Sequence, residues 1–353
     1  MLALICALTA CTYGPEPNLL VRDDRPARSQ AALDEVVGTV TSTPGCSAAV
    51  ANDGKVVWQG VRGAAVLEPL TEITVDTTFD IGSVSKQFTA LAIGLLAEQG
   101  ALSLADHLSD HLDSYPGWAD EVTLEQLVHH TSGIREIDLL ATDAGVSGEM
   151  ELSFAEVLAV IAKYGTELDF EPGTEWAYSS SNYLLLAAVL EQVTGQSLPE
   201  HLQRTFFDPL ELTMTVGPPL NDPGRTRSYR AGANGQFEII DLNADARGAT
   251  GIRSTPAELA RWADVYRTGQ VAGTLVTDPA TDAAPGAPEN GRYGHGIIIS
   301  PESFLWHSGD TGGFHTAFGV SPDRHWSGAV SCNAVGLDAW KIFDTLAEIW
   351  APS

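Results

Sequence analysis

The sequence is short of positive charge, and of lysine above all. Its 353 residues hold 19 lysines and arginines against 46 aspartates and glutamates, so the formal net charge at pH 7 is −27. A surface this acidic repels phosphate backbones and anionic lipid headgroups, which argues against nucleic-acid binding. The four lysines are Lys55, Lys86, Lys163 and Lys341. A lysine that falls within a short motif therefore needs a chemical explanation.

Several metal-binding and hydrolase motifs are also missing. The chain contains no Cys-x-x-Cys pair, no His-Glu-x-x-His signature and no Gly-x-Ser-x-Gly turn. These absences argue against a zinc site and against the α/β-hydrolase fold. His107 and His111 lie four residues apart among aspartates. We interpret this segment as a solvated acidic turn, and we expect no metal.

The N-terminus has the pattern of a targeting segment. "MLALICALTAC" is an apolar run that ends in Leu-Thr-Ala-Cys, which resembles a bacterial lipobox with Cys11 as the lipidated residue. Residues 1–11 therefore predict a signal, an exported cell-envelope protein and membrane attachment through Cys11. No Lys or Arg precedes the run, so an accidental match remains the alternative. We expect a flexible tether over 12–30 and one folded domain over 31–353.

Two further cysteines, Cys46 and Cys332, belong to the folded domain. They would form a disulfide if their strands are neighbours. Two buried free thiols are the alternative, and the sequence leaves both open.

Strand signals lie at both ends of the chain, with helix signals between them. A hairpin signal at Asn52-Asp53-Gly54 and four β-rich runs near the C-terminal end flank a helical region over about 100–250. We therefore predict an α/β fold. Its antiparallel sheet is built from about 40–80 and 290–335 and is flanked by helices, with an inserted, mostly helical subdomain.

The stretch "FDIGSVSKQF" places Ser83 three residues before Lys86, at the start of an apolar helix predicted over 83–99. Residues i and i+3 share one helix face, so the hydroxyl and the amine lie within reach of each other. A serine becomes a nucleophile when a base takes its proton. Burial among apolar neighbours and the helix dipole would lower the pKa of Lys86 toward neutrality and make it that base. The alternative is that Ser83 is a simple helix cap.

Two more motifs follow in chain order. Tyr178 lies in "WAYSSSNYLLL", just before a buried helix predicted over 182–193, and His307 and Gly309 lie in "LWHSGDTGGF". A phenol beside a lysine can share its proton, and a glycine-rich strand edge lets a substrate approach closely. Each motif alone has an ordinary structural interpretation. The ordered set favours nucleophilic catalysis.

In this order the motifs resemble those of the serine β-lactamase-like family, which includes class C β-lactamases, D-alanyl-D-alanine carboxypeptidases and related esterases. The family's motifs are Ser-x-x-Lys, Tyr-x-Asn and a Lys/His-x-Gly triplet. "VTLEQLVHHTSGI" and "GIRSTPAELARW" are also similar, so the resemblance covers about residues 40–335. It implies the β-lactamase/transpeptidase-like fold. It also implies hydrolysis of an ester, amide or β-lactam in a small molecule or peptide through an acyl-enzyme, with no cofactor.

The resemblance also implies individual roles. Ser83 would be the acylated nucleophile and Lys86 its proton acceptor. Tyr178 would be the general base that returns the proton to the leaving group. The backbone N–H groups of Ser83 and Asp310 would form the oxyanion hole, beside Gly309.

Two positions depart from the family pattern. Ser180 stands where the second motif has asparagine, with Asn182 two residues further on, and His307 replaces a lysine that would bind a substrate carboxylate. A histidine carries positive charge only part of the time near neutrality. Both departures favour an esterase or a D-amino-acid peptidase over an efficient β-lactamase. A non-catalytic binding protein on the same fold is the alternative.

Overall fold

The computed structural model describes residues 23–146, 150–217, 225–280 and 283–351. The predicted signal segment and Cys11 lie outside these residues. In the described ranges, no helix is long and apolar enough to cross a bilayer.

The chain forms both helices and strands in its described part. The α-helices are α1 (Arg25–Val37), α2 (Lys86–Glu98), α3 (Leu124–Val128), α4 (Ile137–Asp143), α5 (Phe154–Tyr164), α6 (Ser180–Thr194), α7 (Leu198–Leu202), α8 (Pro256–Trp262), α9 (Val265–Thr268), α10 (Thr274–Thr277) and α11 (Ala339–Trp350). The strands are β1 (Cys46–Asn52), β2 (Lys55–Arg62), β3 (Ala64–Leu67), β4 (Leu70–Glu72), β5 (Phe79–Asp80), β6 (Thr215–Val216), β7 (Tyr229–Ala231), β8 (Phe237–Ile239), β9 (Ile252–Ser254), β10 (Ala284–Ala287), β11 (Gly291–Tyr293), β12 (Ile298–Ile299), β13 (Leu305–Thr311), β14 (Phe314–Val320) and β15 (Trp326–Cys332).

Eight of these strands form one antiparallel sheet in the order β10-β11-β12-β13-β14-β15-β1-β2. The N-terminal strand β1 pairs with the C-terminal strand β15, and Cys46 lies directly opposite Cys332. The two cysteines form a disulfide, which resolves the two alternatives that the sequence left open. The predicted sheet built from both chain ends is confirmed.

The two faces of the sheet belong to different cores. Successive side chains of a strand point to opposite faces, so Cys46, Ala48 and Val50 pack with α1 and α11, whereas Ala49 and Ala51 pack against α8. The largest core lies on the α8 side and includes the buried residues of α2 and α6. The inserted helical region is therefore attached to the sheet through the helix that follows Ser83.

Helix α1 corrects the tether predicted over 12–30. The helix begins at Arg25, and Pro26 suits its first turn. Ser29 is buried, and its hydroxyl accepts a hydrogen bond of 2.7 Å from the indole N–H of Trp350. The predicted boundary at residue 31 therefore lies several residues too late, because a polar helix start resembles a linker in sequence.

Candidate active site

Ser83 lies in a short 3₁₀ turn, Gly82–Ser85, that leads directly into α2. The helix predicted from residue 83 thus begins as this tighter turn. The buried carboxylate of Asp80 accepts hydrogen bonds from the backbone N–H of Gly82 at 2.9 Å and from the hydroxyl of Thr250 at 3.1 Å. These bonds fix the chain at the point where it enters the turn, so Ser83 has a defined position.

Two glycines allow β13 to touch this turn. A Cβ on Gly309 would lie 1.9 Å from the carbonyl oxygen of Ile81 and 3.2 Å from the backbone nitrogen of Ser83. A Cβ on Gly82, where φ is +55°, would lie 2.6 Å from the backbone nitrogen of Asp310. The predicted oxyanion-hole amides, those of Ser83 and Asp310, are therefore neighbours. Their closeness depends on the absence of side chains at both glycines.

Lys86 is fully buried beside Ser83. Its Nζ lies 3.0 Å from Ser83 Oγ, 3.3 Å from Ser180 Oγ and 3.0 Å from the carbonyl oxygen of Ala249. Burial lowers the pKa of Lys86 from 10.5 to about 7, and the negative charge of Glu136 opposes this effect. A lysine with a pKa near neutrality is deprotonated in a large share of the molecules at pH 7 to 8. Such a lysine can accept the proton of Ser83.

Tyr178 lies against the same pair. The ammonium of Lys86 is 4.9 Å from the centre of the Tyr178 ring. Burial raises the pKa of the Tyr178 phenol well above its ordinary value of 10.0, and the nearby hydroxyl of Ser83 opposes this only in part. The phenol therefore carries its proton in the resting protein. This favours Lys86 as the first proton acceptor, with Tyr178 as the group that passes a proton on.

A buried aromatic group positions Tyr178. The ring of His130 lies 4.4 Å from that of Tyr178, at an interplanar angle of 35°. His130 Nδ1 accepts hydrogen bonds from the backbone N–H of Ser179 at 3.1 Å and from the side-chain amide of Asn182 at 3.2 Å. Burial holds the pKa of His130 well below its ordinary value. His130 is therefore a neutral support for Tyr178.

His307 is hydrogen-bonded to Tyr293 and does not line the cavity that opens onto Ser83. Its Nδ1 is 2.5 Å from the carbonyl oxygen of Ser308, and its Nε2 is 2.9 Å from the hydroxyl of Tyr293. A carbonyl only accepts, so Nδ1 carries the proton and Nε2 accepts from the phenol. Burial lowers the pKa of His307 to about 4. His307 is thus neutral and lies beside Tyr178, 6.2 Å from ring centre to ring centre, and its contact with a substrate stays a prediction.

Glu136 is the residue that sequence reasoning missed. Its carboxylate accepts a hydrogen bond of 2.5 Å from the backbone N–H of Ser180. Burial raises the pKa of Glu136, while the amide of Ser180 and the charge of Lys86 oppose that rise. Glu136 is therefore a buried counter-charge for Lys86. The only sequence signal was an acidic residue two positions beyond the "HTSGI" segment.

A cavity of about 440 Å³ opens onto Ser83. Lys86 is the only cation among the described residues that line it, whereas Glu136, Asp138 and Asp310 are acidic. The cavity therefore carries no positive group to spare for a substrate carboxylate, since Lys86 is already engaged. Its lining also includes Ser180, which stands in place of the asparagine of the second motif.

Potential metal ligands do not cluster in the described ranges. Within them, no group of three or more His, Cys, Asp and Glu side chains has the arrangement of a metal site. His111, in the acidic turn noted in the sequence, pairs with Asp106 at 3.0 Å.

Comparisons with known proteins agree on one family. A model of the Beta-lactamase family matches residues 33–345. Protein flp of Staphylococcus aureus (strain N315) is 26% identical over 307 residues, which are 82% of this chain and 59% of that protein. D-aminopeptidase of Brucella anthropi is 33% identical over 167 residues, which are 47% of this chain and 31% of that protein. This chain thus spans less than two thirds of either curated relative.

A solved structure shows the same fold. The D-amino acid amidase from Ochrobactrum anthropi SV3, complexed with L-phenylalanine amide, superposes with a TM-score of 0.77 at 20% identity. The superposition covers 92% of this chain and 98% of that one. The family model covers the whole eight-stranded sheet and the whole helical region, including the Ser83 turn and the buried Lys86. The chain therefore belongs to the Beta-lactamase family.

Proposed function

We propose that the protein cleaves esters, or the amides and peptides of D-amino acids, through an acyl-enzyme on Ser83, and that it is not an efficient β-lactamase. The observation that carries this proposal is the buried Lys86 amine, 3.0 Å from Ser83 Oγ and with a pKa of about 7. It supplies a base at neutral pH without help from a histidine or a metal.

The chemistry follows from the positions of these groups. Neutral Lys86 takes the proton from Ser83 as the serine oxygen attacks the substrate carbonyl. The backbone N–H groups of Ser83 and Asp310 stabilise the oxyanion that forms. The proton then passes through Tyr178 to the leaving group, and the ester bond to Ser83 forms as the original bond breaks. Water hydrolyses this acyl-enzyme with the same groups in reverse order.

The charges around the cavity favour substrates without a carboxylate. Glu136, Asp138 and Asp310 would repel an anionic substrate. A β-lactam antibiotic carries such a carboxylate, and His307, being neutral and buried, offers it no charge. A free amine would instead be attracted. The relatives named D-aminopeptidase and D-amino acid amidase agree with this preference.

A covalent probe tests the nucleophile. We expect a fluorophosphonate to label Ser83 in the folded protein, located by mass spectrometry. Ser83→Ala should abolish labelling and lower p-nitrophenyl butyrate turnover at least 10⁴-fold, as loss of a serine nucleophile does in other hydrolases. The exposed Ser303 offers a matched control, because Ser303→Ala lies away from the cavity and should leave labelling intact. An unlabelled Ser83 would refute the proposal and favour a non-catalytic binding protein.

A matched pair of esters tests the charge preference. We expect kcat/KM for p-nitrophenyl butyrate to exceed that for p-nitrophenyl hemisuccinate, which adds a carboxylate at the same chain length, at least tenfold. Nitrocefin should also be a poorer substrate than the butyrate. Asp138→Asn should narrow the difference between the two esters.

The control for this charge test lies on the same helix. Asp143 pairs with Arg135 at 2.8 Å and does not line the cavity, so Asp143→Asn should leave the ratio of the two esters unchanged. Equal rates on the two esters, or nitrocefin as the better substrate, would contradict the charge argument while leaving Ser83 as the nucleophile.

A further inference from the structure

The cavity continues past Ser83 into a space lined by aliphatic side chains, which we name the aliphatic chamber. Helices α4, α5 and α6 provide much of its wall, together with the segments around Leu152 and Ala244. Its main residues are Ile137, Ala141, Leu152, Val157, Val160 and Leu184. No aromatic side chain lines the cavity among the described residues. The chamber is therefore smooth, apolar and without a stacking surface.

The walls of the chamber are joined by backbone hydrogen bonds. Leu152 and Ala244 form a parallel β-bridge, and the N–H of Asp245 donates to the carbonyl oxygen of Leu152 at 2.8 Å. Val157 and Val160 are buried on α5 and present the opposite wall. These bonds hold the Leu152 and Ala244 walls together, so a substrate does not need to order this part of the chamber, which lowers the entropic cost of binding.

The mouth of the chamber is also apolar. Met150 and Leu242 both line the cavity, yet their side chains are 46% and 37% exposed. Large apolar side chains that stay exposed at the entrance of a cavity mark a surface that meets an apolar ligand. The thioether of Met150 adapts to guests of different shape.

Physical chemistry narrows the class of guest. A polar group in this chamber would leave its own hydrogen-bonding atoms without partners, which costs free energy. An aliphatic group would replace water along an apolar wall, which is favourable in proportion to the area buried. The guest is therefore an aliphatic group, and the acidic residues next to Ser83 exclude one that ends in a carboxylate.

The chamber lies on the acyl side of the bond that is cleaved. In the proposed mechanism the leaving group receives its proton from Tyr178, and Tyr178 does not line the cavity. Ser180, Glu136 and the start of α4 form the passage from Ser83 into the chamber. The half of the substrate that remains on Ser83 is therefore the half that extends into it.

We propose that the aliphatic chamber binds an aliphatic chain on the acyl half of the substrate, so that preferred substrates carry an acyl chain longer than four carbons. This inference rests on the proposed function, because an acyl group reaches the chamber through Ser83. The chain belongs either to a fatty acyl ester or to an aliphatic D-amino acid, since both present the same apolar surface.

A chain-length series tests this proposal. We expect kcat/KM for p-nitrophenyl octanoate to exceed that for the acetate at least tenfold in the wild-type protein. Ala141→Phe, which fills the chamber from α4, should lower this octanoate-to-acetate ratio at least tenfold. Leu139→Phe is the matched control, because Leu139 lies on the same helix, is 50% exposed and does not line the cavity. The octanoate-to-acetate ratio of this variant should equal that of the wild-type protein. Active sites are counted by fluorophosphonate labelling of Ser83.

A second pair of substrates separates the two sources of the chain. The p-nitroanilides of D-alanine and D-2-aminooctanoic acid differ only in side-chain length, and turnover of the longer one alone identifies an aliphatic D-amino acid. Turnover of octanoate ester alone identifies a fatty acyl group. A flat ester series, or a ratio unchanged by Ala141→Phe, would overturn the chamber proposal while Ser83 is still labelled. Failure to label Ser83 would overturn the proposed function as well.

Discussion

Replacing Lys86 with methionine should abolish turnover and, at neutral pH, stabilise the fold. The side chain is fully buried, and burial lowers its pKa from 10.5 to about 7. Each unit of such a shift corresponds to about 1.4 kcal/mol. The fold therefore gives up on the order of 3 to 5 kcal/mol by burying this lysine at pH 7. Methionine fills a similar volume without a charge, at the loss of the hydrogen bonds of Lys86.

The pH dependence fixes the sign of this effect. The folded-state pKa of Lys86, about 7, lies below the unfolded value of 10.5. The free-energy cost of burying Lys86 is therefore largest below pH 7, falls as the pH rises and disappears above pH 10.5. We expect Lys86→Met to raise the free energy of unfolding by about 2 to 4 kcal/mol at pH 7, and by much less at pH 10. Urea unfolding at both values measures the difference.

Glu136 complicates the single substitution and provides the control. Without the cation of Lys86, the buried carboxylate of Glu136 loses its counter-charge, and its pKa, already raised by burial, rises further. The double variant Lys86→Met/Glu136→Gln removes both charges and should be at least as stable as Lys86→Met. Two comparisons at pH 7 test this. If Lys86→Met is less stable than the wild type, and Lys86→Met/Glu136→Gln is also less stable than Glu136→Gln, burial does not set the pKa of Lys86.

The contrast between Lys86 and Glu136 shows which parts of the site a sequence can predict. Ser83 and Lys86 lie three residues apart, so local helix geometry alone brings them together. Ser180 follows Tyr178 closely, so both come to the same helix end. Glu136 lies 53 residues after Ser83 and reaches the site only because the start of α4 lies against the start of α6, where the Ser180 amide binds it. No periodicity in the sequence encodes that contact.

His307 illustrates a second limit of prediction from sequence, which concerns the face of the sheet on which a side chain lies. Its strand, β13, belongs to the β-rich C-terminal part of the chain, and the β-rich texture of both chain ends correctly predicted one sheet. Alternation along a strand does not say which face holds the active site until the neighbouring elements are placed. The hydrogen bonds of His307 to Ser308 and Tyr293 hold its ring beside Tyr178, and His307 does not line the cavity. Its neutral state follows from this burial and not from its residue type.

Gly309→Ala should lower kcat about 10²- to 10³-fold, the cost of losing one oxyanion-hole donor. The new Cβ would lie 1.9 Å from the carbonyl oxygen of Ile81, which is backbone and has no rotamer to change. Strand β13 must therefore move away from the Gly82–Ser85 turn. That movement separates the amide of Asp310 from Ser83, while the lysine that activates the serine stays in place.

Because the strain in Gly309→Ala lies between β13 and the Gly82–Ser85 turn, we expect it to affect kcat, KM and the pKa of Lys86 to different extents. KM should change less than kcat, because the amides contact the oxyanion of the transition state more strongly than the bound substrate. The pKa of Lys86, measured from the acid limb of the pH profile, should stay near the wild-type value, since Gly309 does not contact it. Gly117→Ala is the matched control, because a Cβ there meets no atom within 4 Å. A Gly309→Ala variant that keeps kcat within threefold would show that the amide of Asp310 does not bind the oxyanion.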